Sequence, residues 1–282
     1  MKLSVVIVNY RTPGETLACL KSLAVDTPAE TEFIVVENGS GDDSAERIRA
    51  GFPDAKLIES PKNLGFAGGC ALGVKQARGE YLAFINSDCE AKPGALKKLV
   101  EYLDQNAEAA AAVPRLLETD GQVQNNVARL PTPGSVASEY LLGRHSAWYQ
   151  DLASWSKPAR IEAFSGAALM IRRVDYEAAG GFDERYFMYV EDVELSFNLR
   201  ESGKKVYYLL GAVLVHHAGG SSAAERPKLN KMLHAHRIDY IKRHFRFGGR
   251  LVALSAMRLG LLIASLKHAV KTFFGSGSYR QR

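Results

Sequence analysis

The sequence is poor in the residues that build disulfide frameworks and metal clusters. Only three cysteines occur among 282 residues, Cys19, Cys70 and Cys89, and their spacing matches no zinc or iron–sulfur pattern. So few thiols fit a reducing cytosol and argue against a disulfide-stapled secreted fold. The first residues contain too short an apolar run for a signal peptide and open directly into a strand pattern. We therefore expect a cytoplasmic protein.

Three other sequence patterns are missing, and each absence argues against one class of protein. Residues 65–68, Gly-Phe-Ala-Gly, place two residues between the first glycines, so the dinucleotide fingerprint is not met and a nicotinamide or flavin cofactor is disfavoured. No basic glycine-rich loop follows the first predicted strand, although a nucleotidyltransferase of sugar phosphates would require one. Near the C-terminus the longest uncharged run, residues 259–266, is far short of the roughly 20 residues of a membrane-spanning helix.

Charge is unevenly distributed along the chain. The formal net charge is +5, yet residues 225–282 contain 13 lysines and arginines and only two acidic residues. A neutral to acidic body with a basic tail suggests an anionic surface as partner, either a membrane or a nucleic acid. A nucleic-acid-binding module would interleave aromatic and basic residues, and Phe245 and Phe247 beside Arg246 match that pattern only faintly.

Short apolar runs alternate with helical stretches along the chain. Strands are predicted at residues 2–9, 33–37, 55–58, 81–85, 167–171, 206–210 and 213–216. Helices are predicted from residue 13, from the glycine-rich turn to about residue 78, and over residues 93–106, 174–179 and 191–202. Thr12 and Glu15 have the spacing of a capping box, and residues 119–157 have no regular pattern, as in a loop or lid. The alternation predicts an α/β fold with a mostly parallel, Rossmann-like central sheet flanked by helices.

Polar residues follow three of the predicted strands. Asn9 and Tyr10 follow the first, Glu37 ends the second, and Asn86-Ser87-Asp88 follows the strand at residues 81–85. Because parallel strands end at one edge of a sheet, where α/β proteins bind ligands, these groups should gather there. A carboxylate at Asp88 could hold a divalent cation beside a phosphate; alternatively, it only caps a helix. The glycines at residues 65, 68 and 69 allow either close approach to a ligand or tight helix–strand packing.

A second dense motif, residues 181–194, combines acidic and aromatic side chains. Glu191 and Asp192 stand at a predicted helix start, where one could act as a general base, although the helix dipole alone also favours acidic residues there. His216 ends a late strand. A neutral imidazole is a good ligand for a divalent transition-metal ion, but a lone histidine is more often structural.

Taken together, the motifs resemble those of family 2 glycosyltransferases. SVVIVNYRT, VVENGSGD, NLGFAGG, INSD, FSGAALMIRR, GGFDERYFMYVEDVELSFNLRESG and VHHAGGSS occur in that family's order over residues 3–222. The similarity is to the rhamnosyltransferase-like branch. It implies a GT-A fold and inverting transfer from a nucleoside-diphosphate sugar, dTDP-rhamnose or a UDP-sugar, to a lipid-linked glycan in cell-surface polysaccharide synthesis. It also implies Mg²⁺ or Mn²⁺ as the cofactor.

The same resemblance assigns roles to individual positions. It implies that Tyr10, Glu37, Asn63, Asn86, Ser87 and Asp88 bind the nucleotide sugar, that Asp88 and His216 hold the metal, that Asp192 is the catalytic base, and that Gly166 and Glu191 lie on the acceptor side. Three positions depart from the pattern. Asn86 replaces the first Asp of the D-x-D motif, which leaves fewer charged metal ligands. Glu37 and Glu194 stand where Asp is common.

The basic tail has a two-faced pattern. Residues 250–274 predict a helix with Arg250 and Arg258 on one arc and Leu251, Leu259 and Leu262 opposite. Such a helix fits an interface with anionic lipid, or alternatively packs on protein. We therefore expect a catalytic domain at residues 1–225 and a membrane-associating tail at residues 226–282. That places the enzyme peripherally on the inner face of the bacterial cytoplasmic membrane.

Overall fold

The computed structural model describes residues 1–25, 27–144, 152–217 and 226–275. The helices are α1 Pro13–Ala24, α2 Ser44–Gly51, α3 Gly65–Val74, α4 Ala95–Gln105, α5 Pro133–Leu142, α6 Arg173–Ala178, α7 Glu191–Glu201, α8 Arg226–His244 and α9 Phe247–Gly275. The strands are β1 Leu3–Asn9, β2 Thr31–Glu37, β3 Lys56–Glu59, β4 Tyr81–Ile85, β5 Cys89–Ala91, β6 Ala109–Leu117, β7 Val123–Gln124, β8 Val127–Ala128, β9 Ala159–Ile161, β10 Ala163–Phe164, β11 Ala168–Arg172 and β12 Lys205–His216.

One large sheet organises these elements. Its order is β3-β2-β1-β4-β11-β6-β12-β5, with β7 added beside β6 and β9 beside β12. The first four strands are parallel to one another, whereas β11 runs antiparallel to both β4 and β6. Strands buried on both faces need continuous apolar sequence, and β1 and β4 have it. The predicted α/β fold is confirmed, and the sheet is mixed in its second half.

Helices cover both faces of this sheet. Leu20 of α1 and Leu99 of α4 are fully buried against one face, and Cys70 of α3 and Leu195 of α7 are buried against the other. Burial of one leucine side chain stabilises the fold by about 1.5–3 kcal/mol. The three cysteines are buried within these layers, and burial raises the pKa of each thiol. They are therefore packing residues.

The predicted capping box at the start of α1 is wrong. Thr12 makes no side-chain cap to the helix. Its hydroxyl instead lies 3.2 Å from the Ser87 hydroxyl and 3.5 Å from Asn9 Oδ1. The polar groups at the neighbouring strand ends compete successfully for that hydroxyl. A capping box does occur at α5, between Thr132 and Ser135.

Strand β6 lies in a stretch for which the sequence predicts no strand. Its first half is mostly alanine, which is depleted in strands, and Pro114 lies in its middle. The partner strand β12 shifts register between Leu209 and Val213, next to Pro114. A bulge at that point accommodates the proline. The irregular region predicted at residues 119–157 contains β7, β8 and α5, and its residues 145–151 lie outside the described part.

The chain divides into two compact units. The first comprises residues 1–130 and 150–236, and the second comprises residues 131–149 and 237–282. The large sheet belongs to the first unit, while α5 and α9 belong to the second. The sequence-based division after residue 225 stays a prediction.

Within the second unit, α9 packs on α5 through its small residues. Ala253 and Ala256 are buried, and a side chain at Gly260 would overlap the backbone of Tyr140. Met257 is buried as well, whereas most of the other large apolar side chains that the structure describes on α9 lie on a different, exposed face. We call it the apolar face of α9: Leu251, Val252, Leu259, Leu262, Ile263 and Leu266.

Candidate active site

The polar strand ends lie together at one edge of the sheet, as the sequence predicts. The backbone N–H of Asn38, just after β2, donates to the carbonyl of Asn9 at the end of β1 (2.9 Å). The side chain of Ser87, just after β4, meets Thr12, just after β1. Parallel pairing of β2, β1 and β4 forces this proximity. The edge is therefore a ready place for ligand binding.

The three residues predicted to line a nucleoside pocket differ in the contacts that their side chains make. Glu37 is buried, and its Oε1 accepts the backbone N–H of Ser40 (2.8 Å). Asn63 Oδ1 accepts the N–H of Gly65 (2.8 Å), so this amide shapes the glycine-rich turn. Tyr10 is half-buried, with the guanidinium of Arg11 5.1 Å from its ring centre. The structure groups them at the same edge, and their binding roles stay predictions.

The glycine-rich turn packs tightly against protein, and its contact with a ligand stays a prediction. Gly65 has φ +75°, and an added Cβ would overlap the carbonyl of Phe187. The N–H of Phe66 donates to that same carbonyl (2.8 Å). At Gly69 an added Cβ would lie 2.8 Å from a methyl of Val8. The glycines thus bring α3 close to β1 and tie it to the acidic–aromatic segment.

Asp88 and His216 form a compact pair at this edge. His216 Nε2 lies 3.2 Å from Asp88 Oδ1, and the two side chains are 14% and 16% exposed. The Cys89 sulfur lies within the same 4.8 Å cluster. That thiol is buried, its pKa is raised well above the ordinary value by burial, and it points at the Ala167 carbonyl (3.6 Å). Hard cations such as Mg²⁺ and Mn²⁺ prefer carboxylate oxygen, and a divalent transition-metal ion also binds imidazole, whereas a thiol is a ligand for softer metals.

This donor set fits a divalent ion bound together with a substrate. One carboxylate and one imidazole occupy two coordination positions, and ions such as Mg²⁺ take their remaining ligands from water and substrate phosphates. The pair forms because β12 lies beside β5, which places His216 opposite Cys89, the residue after Asp88. The Ala218–Gly220 part of the histidine motif lies outside the described residues.

Two neighbours of this pair were missed by the sequence analysis. Gln124 Oε1 lies 2.8 Å from His216 Nδ1, so the imidazole is held from its far side. Glu15, in the first turn of α1, has its pKa raised by burial and then by the charge of nearby Asp88. Glu15 could have been found from the sequence, because it lies in the first turn of the helix that follows β1. Gln124 could not, because it follows no predicted strand. Acidic groups this close make the edge attractive to a cation.

Asp192 lies at the start of α7 on the same edge. Its Oδ2 accepts the N–H of Gly166 (2.9 Å), and its Oδ1 accepts that of Val193 (2.8 Å). Burial raises the pKa of this carboxyl, and those two hydrogen bonds oppose the rise. Gly166 is followed by Ala167, whose carbonyl accepts the backbone N–H of Asn86 (2.9 Å). Asp192 and the Asp88 segment are thus linked through two consecutive residues.

The other two acidic residues in the first turn of α7 point into the protein. Glu191 is 5% exposed, and its Oε2 has no hydrogen-bond partner among the described residues. Burial, and then the adjacent Asp192, raise the pKa of Glu191 well above its ordinary value. Glu194 is buried as well and lies 3.4 Å from the hydroxyl of Tyr186. Asp192 is therefore the least buried of the three.

The backbone just before α7 is strained. Tyr189 and Val190 are consecutive non-glycine residues with φ +69° and +76°. A β-branched residue rarely adopts such a conformation, and each instance costs about 1–3 kcal/mol. Such strain persists only where the surrounding structure fixes it. Here it sets the direction in which α7 begins.

Comparison with known protein families decides the class. The profile of glycosyl transferase family 2 matches residues 4–177, more than half of the chain. The chain belongs to glycosyl transferase family 2. This family 2 glycosyltransferase therefore carries its strand-end groups and Asp88 within the matched region, while Asp192 and His216 follow it in sequence. The prediction that the chain is an enzyme, a glycosyltransferase, is confirmed.

Named relatives agree with this class. The N-acetylglucosaminyl-diphospho-decaprenol L-rhamnosyltransferase of Mycobacterium tuberculosis (strain CDC 1551 / Oshkosh) is 28% identical over 261 residues, 85% of this chain and 83% of that protein. Galactofuranosyltransferase GlfT1 of the same strain is 28% identical over 274 residues, 92% of this chain and 84% of that protein. The predicted likeness to rhamnosyltransferases is confirmed.

A solved structure supports the fold. The crystal structure of GalNAc-T7 with UDP, GalNAc and Mn²⁺ aligns with a TM-score of 0.59 at 17% identity, covering 77% of this chain and 44% of that one. At this identity the likeness concerns the fold alone. The predicted GT-A architecture of the glycosyltransferase is thereby confirmed.

Proposed function

We propose that this glycosyltransferase moves a sugar from a nucleoside diphosphate, as dTDP-rhamnose or a UDP-sugar, to a lipid-linked glycan with inversion at the anomeric carbon. The product would belong to cell-surface polysaccharide synthesis. One observation carries the proposal: the Asp88–His216 pair and Asp192 lie on the same sheet edge, joined through Gly166 and Ala167. A leaving-group site and a basic carboxylate are the two parts that a single displacement needs.

The donor would bind along the ends of β1, β2 and β4. Tyr10 and Glu37 would line the nucleoside pocket, with Asn63 beside them in the glycine-rich turn; the turns that hold Glu37 and Asn63 at this edge support that assignment. Asn86 and Ser87 would orient the diphosphate through their polar side chains. A carboxylate such as Glu37 accepts hydrogen bonds from base N–H groups or ribose hydroxyls.

Asp88 and His216 would hold a divalent cation, either Mg²⁺ or Mn²⁺. When bound, such a cation neutralises charge on the departing nucleoside diphosphate. Asp88 supplies a carboxylate oxygen and His216 an imidazole nitrogen, which Gln124 orients from its other side. The Mn²⁺ in the GalNAc-T7 structure suits this assignment.

Asp192 would take the proton of the acceptor hydroxyl as that hydroxyl attacks. Its raised pKa favours this role, because a base works best when its pKa approaches the working pH. The Gly166 N–H fixes the carboxylate by donating to its Oδ2, and a side chain at Gly166 would crowd the ring of Phe66 and contact Asp192 itself. Glu191 would sit on the acceptor side as an inward-pointing neighbour, with its pKa raised by burial. With Asp192 as base, no covalent intermediate is needed.

The tail at residues 226–282 would hold the enzyme peripherally on the inner face of the bacterial cytoplasmic membrane, next to a catalytic domain at residues 1–225. The apolar face of α9 is exposed, while a different face of α9 packs on α5. Arg258 is exposed beside this face, which suits anionic headgroups, whereas Arg250 is half-buried and donates to the carbonyl of Phe245. The M. tuberculosis rhamnosyltransferase is named for a diphospho-decaprenol substrate, and a lipid acceptor of that kind would place this enzyme at a membrane.

A spanning helix is the alternative for the same segment. Residues Phe247–Lys267 have a mean hydropathy of 1.5 and are long enough to cross a membrane by length and composition. We favour the interfacial arrangement because Arg250, Arg258 and Lys267 fall within that segment. Extraction of membranes at alkaline pH separates the two, since it releases an interfacial protein and leaves a spanning one in the pellet.

A donor screen tests the proposed function. Purified enzyme is incubated with a panel of dTDP- and UDP-sugars and Mg²⁺ or Mn²⁺, and release of the nucleoside diphosphate is measured with and without lipid-linked acceptor. We expect one donor to be consumed, with release that requires the metal. Asp88→Ala should abolish metal-dependent binding of dTDP or UDP in calorimetry, while Asp120→Ala, on an exposed turn, should not. Unchanged affinity in Asp88→Ala would contradict the metal assignment.

A further inference from the structure

His236 of α8 contacts the strained segment before α7. Its Nδ1 lies 2.9 Å from the carbonyl oxygen of Met188 and 3.3 Å from that of Tyr189. Both oxygens can only accept, so Nδ1 carries the hydrogen and donates to them. The imidazole ring also packs edge-on against Tyr186, with 5.3 Å between ring centres. One side chain thus contacts three of the residues that lead into α7.

Within the described part of the chain, these two carbonyls have no other hydrogen-bond donor. Among the described residues, no backbone N–H donates to the carbonyl of Met188 or Tyr189, whereas the adjacent carbonyls of Phe187 and Val190 are bound by Phe66 and Glu194. Positive φ at Tyr189 and Val190 turns their peptide groups away from a regular ladder. A conformation of this kind needs outside partners to persist, and His236 is the partner that the structure supplies.

The segment in turn determines where Asp192 stands. Val190 immediately precedes the helix, and its carbonyl accepts the Glu194 N–H (2.8 Å), the first hydrogen bond of α7. Asp192 therefore lies within the turn of helix whose direction Val190 fixes. If the segment relaxed, the first turn of α7 would rotate, and the contact between Asp192 and the Gly166 N–H would be lost.

We propose that His236 is a positioning residue of the active site, which holds Met188 and Tyr189 so that Asp192 faces the acceptor. The inference rests on the proposed role of Asp192 as base. It also means that the first part of α8, although it lies in the predicted tail, serves catalysis. Residue 236 belongs to the same compact unit as the sheet.

Substitutions in the full chain test this. His236→Leu removes the donor, His236→Asn keeps an N–H near the position of Nδ1, and His236→Phe keeps the ring contact with Tyr186 without the donor. His244→Leu is the matched control, because His244 lies on the same helix and packs on Tyr240 instead. We expect His236→Leu and His236→Phe to lower kcat by about 10-fold to 10²-fold, the scale of a small misplacement of a catalytic group.

The pattern across variants separates positioning from general stability. KM for the donor and the affinity for dTDP or UDP should stay unchanged, His236→Asn should recover most turnover, and His244→Leu should behave as wild type. Hydrogen exchange should accelerate at residues 189–193 in His236→Leu and His236→Phe. Wild-type kcat in His236→Phe, or equal damage in His236→Asn and His236→Leu, would overturn the inference. Asp192→Asn is measured in parallel, so that an active Asp192→Asn variant marks failure of the base assignment instead.

Discussion

The proposed membrane binding through α9 leads to a quantitative prediction. Leu259 and Leu262 are 50% and 56% exposed on the apolar face of α9. Full burial of a leucine is worth about 1.5–3 kcal/mol, so the exposed half of each should contribute about 1 kcal/mol on insertion. Each glutamate introduced there also opposes an anionic surface by about 1 kcal/mol. The double variant Leu259→Glu/Leu262→Glu should lose about 4 kcal/mol, or close to 10³-fold in partitioning.

Flotation of the full chain with phosphatidylglycerol vesicles measures this loss. The matched control is Val25→Glu/Val174→Glu, which converts two exposed apolar residues elsewhere, 75% and 68% exposed, with the same change of charge. Wild type and control should float, and salt should weaken both because the basic arc contributes. If the double variant floats like the control, α9 does not bind lipid through this face.

Two further predictions concern residues around the catalytic edge. Gln124→Leu should weaken Mn²⁺ binding by about 10-fold to 100-fold, whereas Gln124→Glu still accepts from His216 Nδ1 and should not weaken it. Electron paramagnetic resonance with dTDP or UDP present measures the affinity. Equal Mn²⁺ affinity in the wild type and both variants would contradict the role of Gln124. Because the pKa of Glu191 is raised in the folded state, wild-type stability should fall as pH rises from the ordinary value of 4.5 through that raised pKa. Glu191→Gln lacks this loss, so its Tm advantage should grow with pH, and parallel Tm curves would refute the argument.

The fold and the strand-end groups could be predicted because their signals are local. Continuous apolar runs mark β1 and β4 as buried strands, and a parallel sheet brings the residues after them to one edge. Asn9 ends the first of these runs, and Asp88 lies three residues after the second. Their proximity therefore depends on strand direction alone, which the alternation of strands and helices indicates.

The partners of those groups could not be predicted because they depend on tertiary packing. Gln124 reaches His216 only through the hairpin of β6 and β7, and alanine-rich β6 lacks a strand signal. His236 contacts Met188 across 48 residues. No periodicity in the sequence records such a contact, and the positive φ values of non-glycine residues leave no sequence signal either.

The helical pattern of the tail predicts which residues of α9 share a face, but it does not show which face packs on protein. The helical period places Leu259 and Leu262 on one arc of α9, and both residues are exposed. The buried face instead contains the small residues Ala253, Ala256 and Gly260, which allow close approach to α5, together with Met257. A prediction from hydrophobicity alone would choose the leucines as the packed face. It would be wrong because it takes no account of how closely two helix backbones can approach.

The assignment of Asp192 as the base is the central claim, and a comparison of three amide substitutions tests it most directly. Asp192→Asn keeps the shape and an oxygen for the Gly166 N–H but removes the basicity. With the donor identified by the screen, we expect its turnover to fall by about 10²-fold or more, with donor affinity nearly unchanged. Glu191→Gln and Glu194→Gln, whose side chains are buried, should lose far less. Near-normal turnover in Asp192→Asn together with an inactive Glu191→Gln would contradict the account and make Glu191 the base.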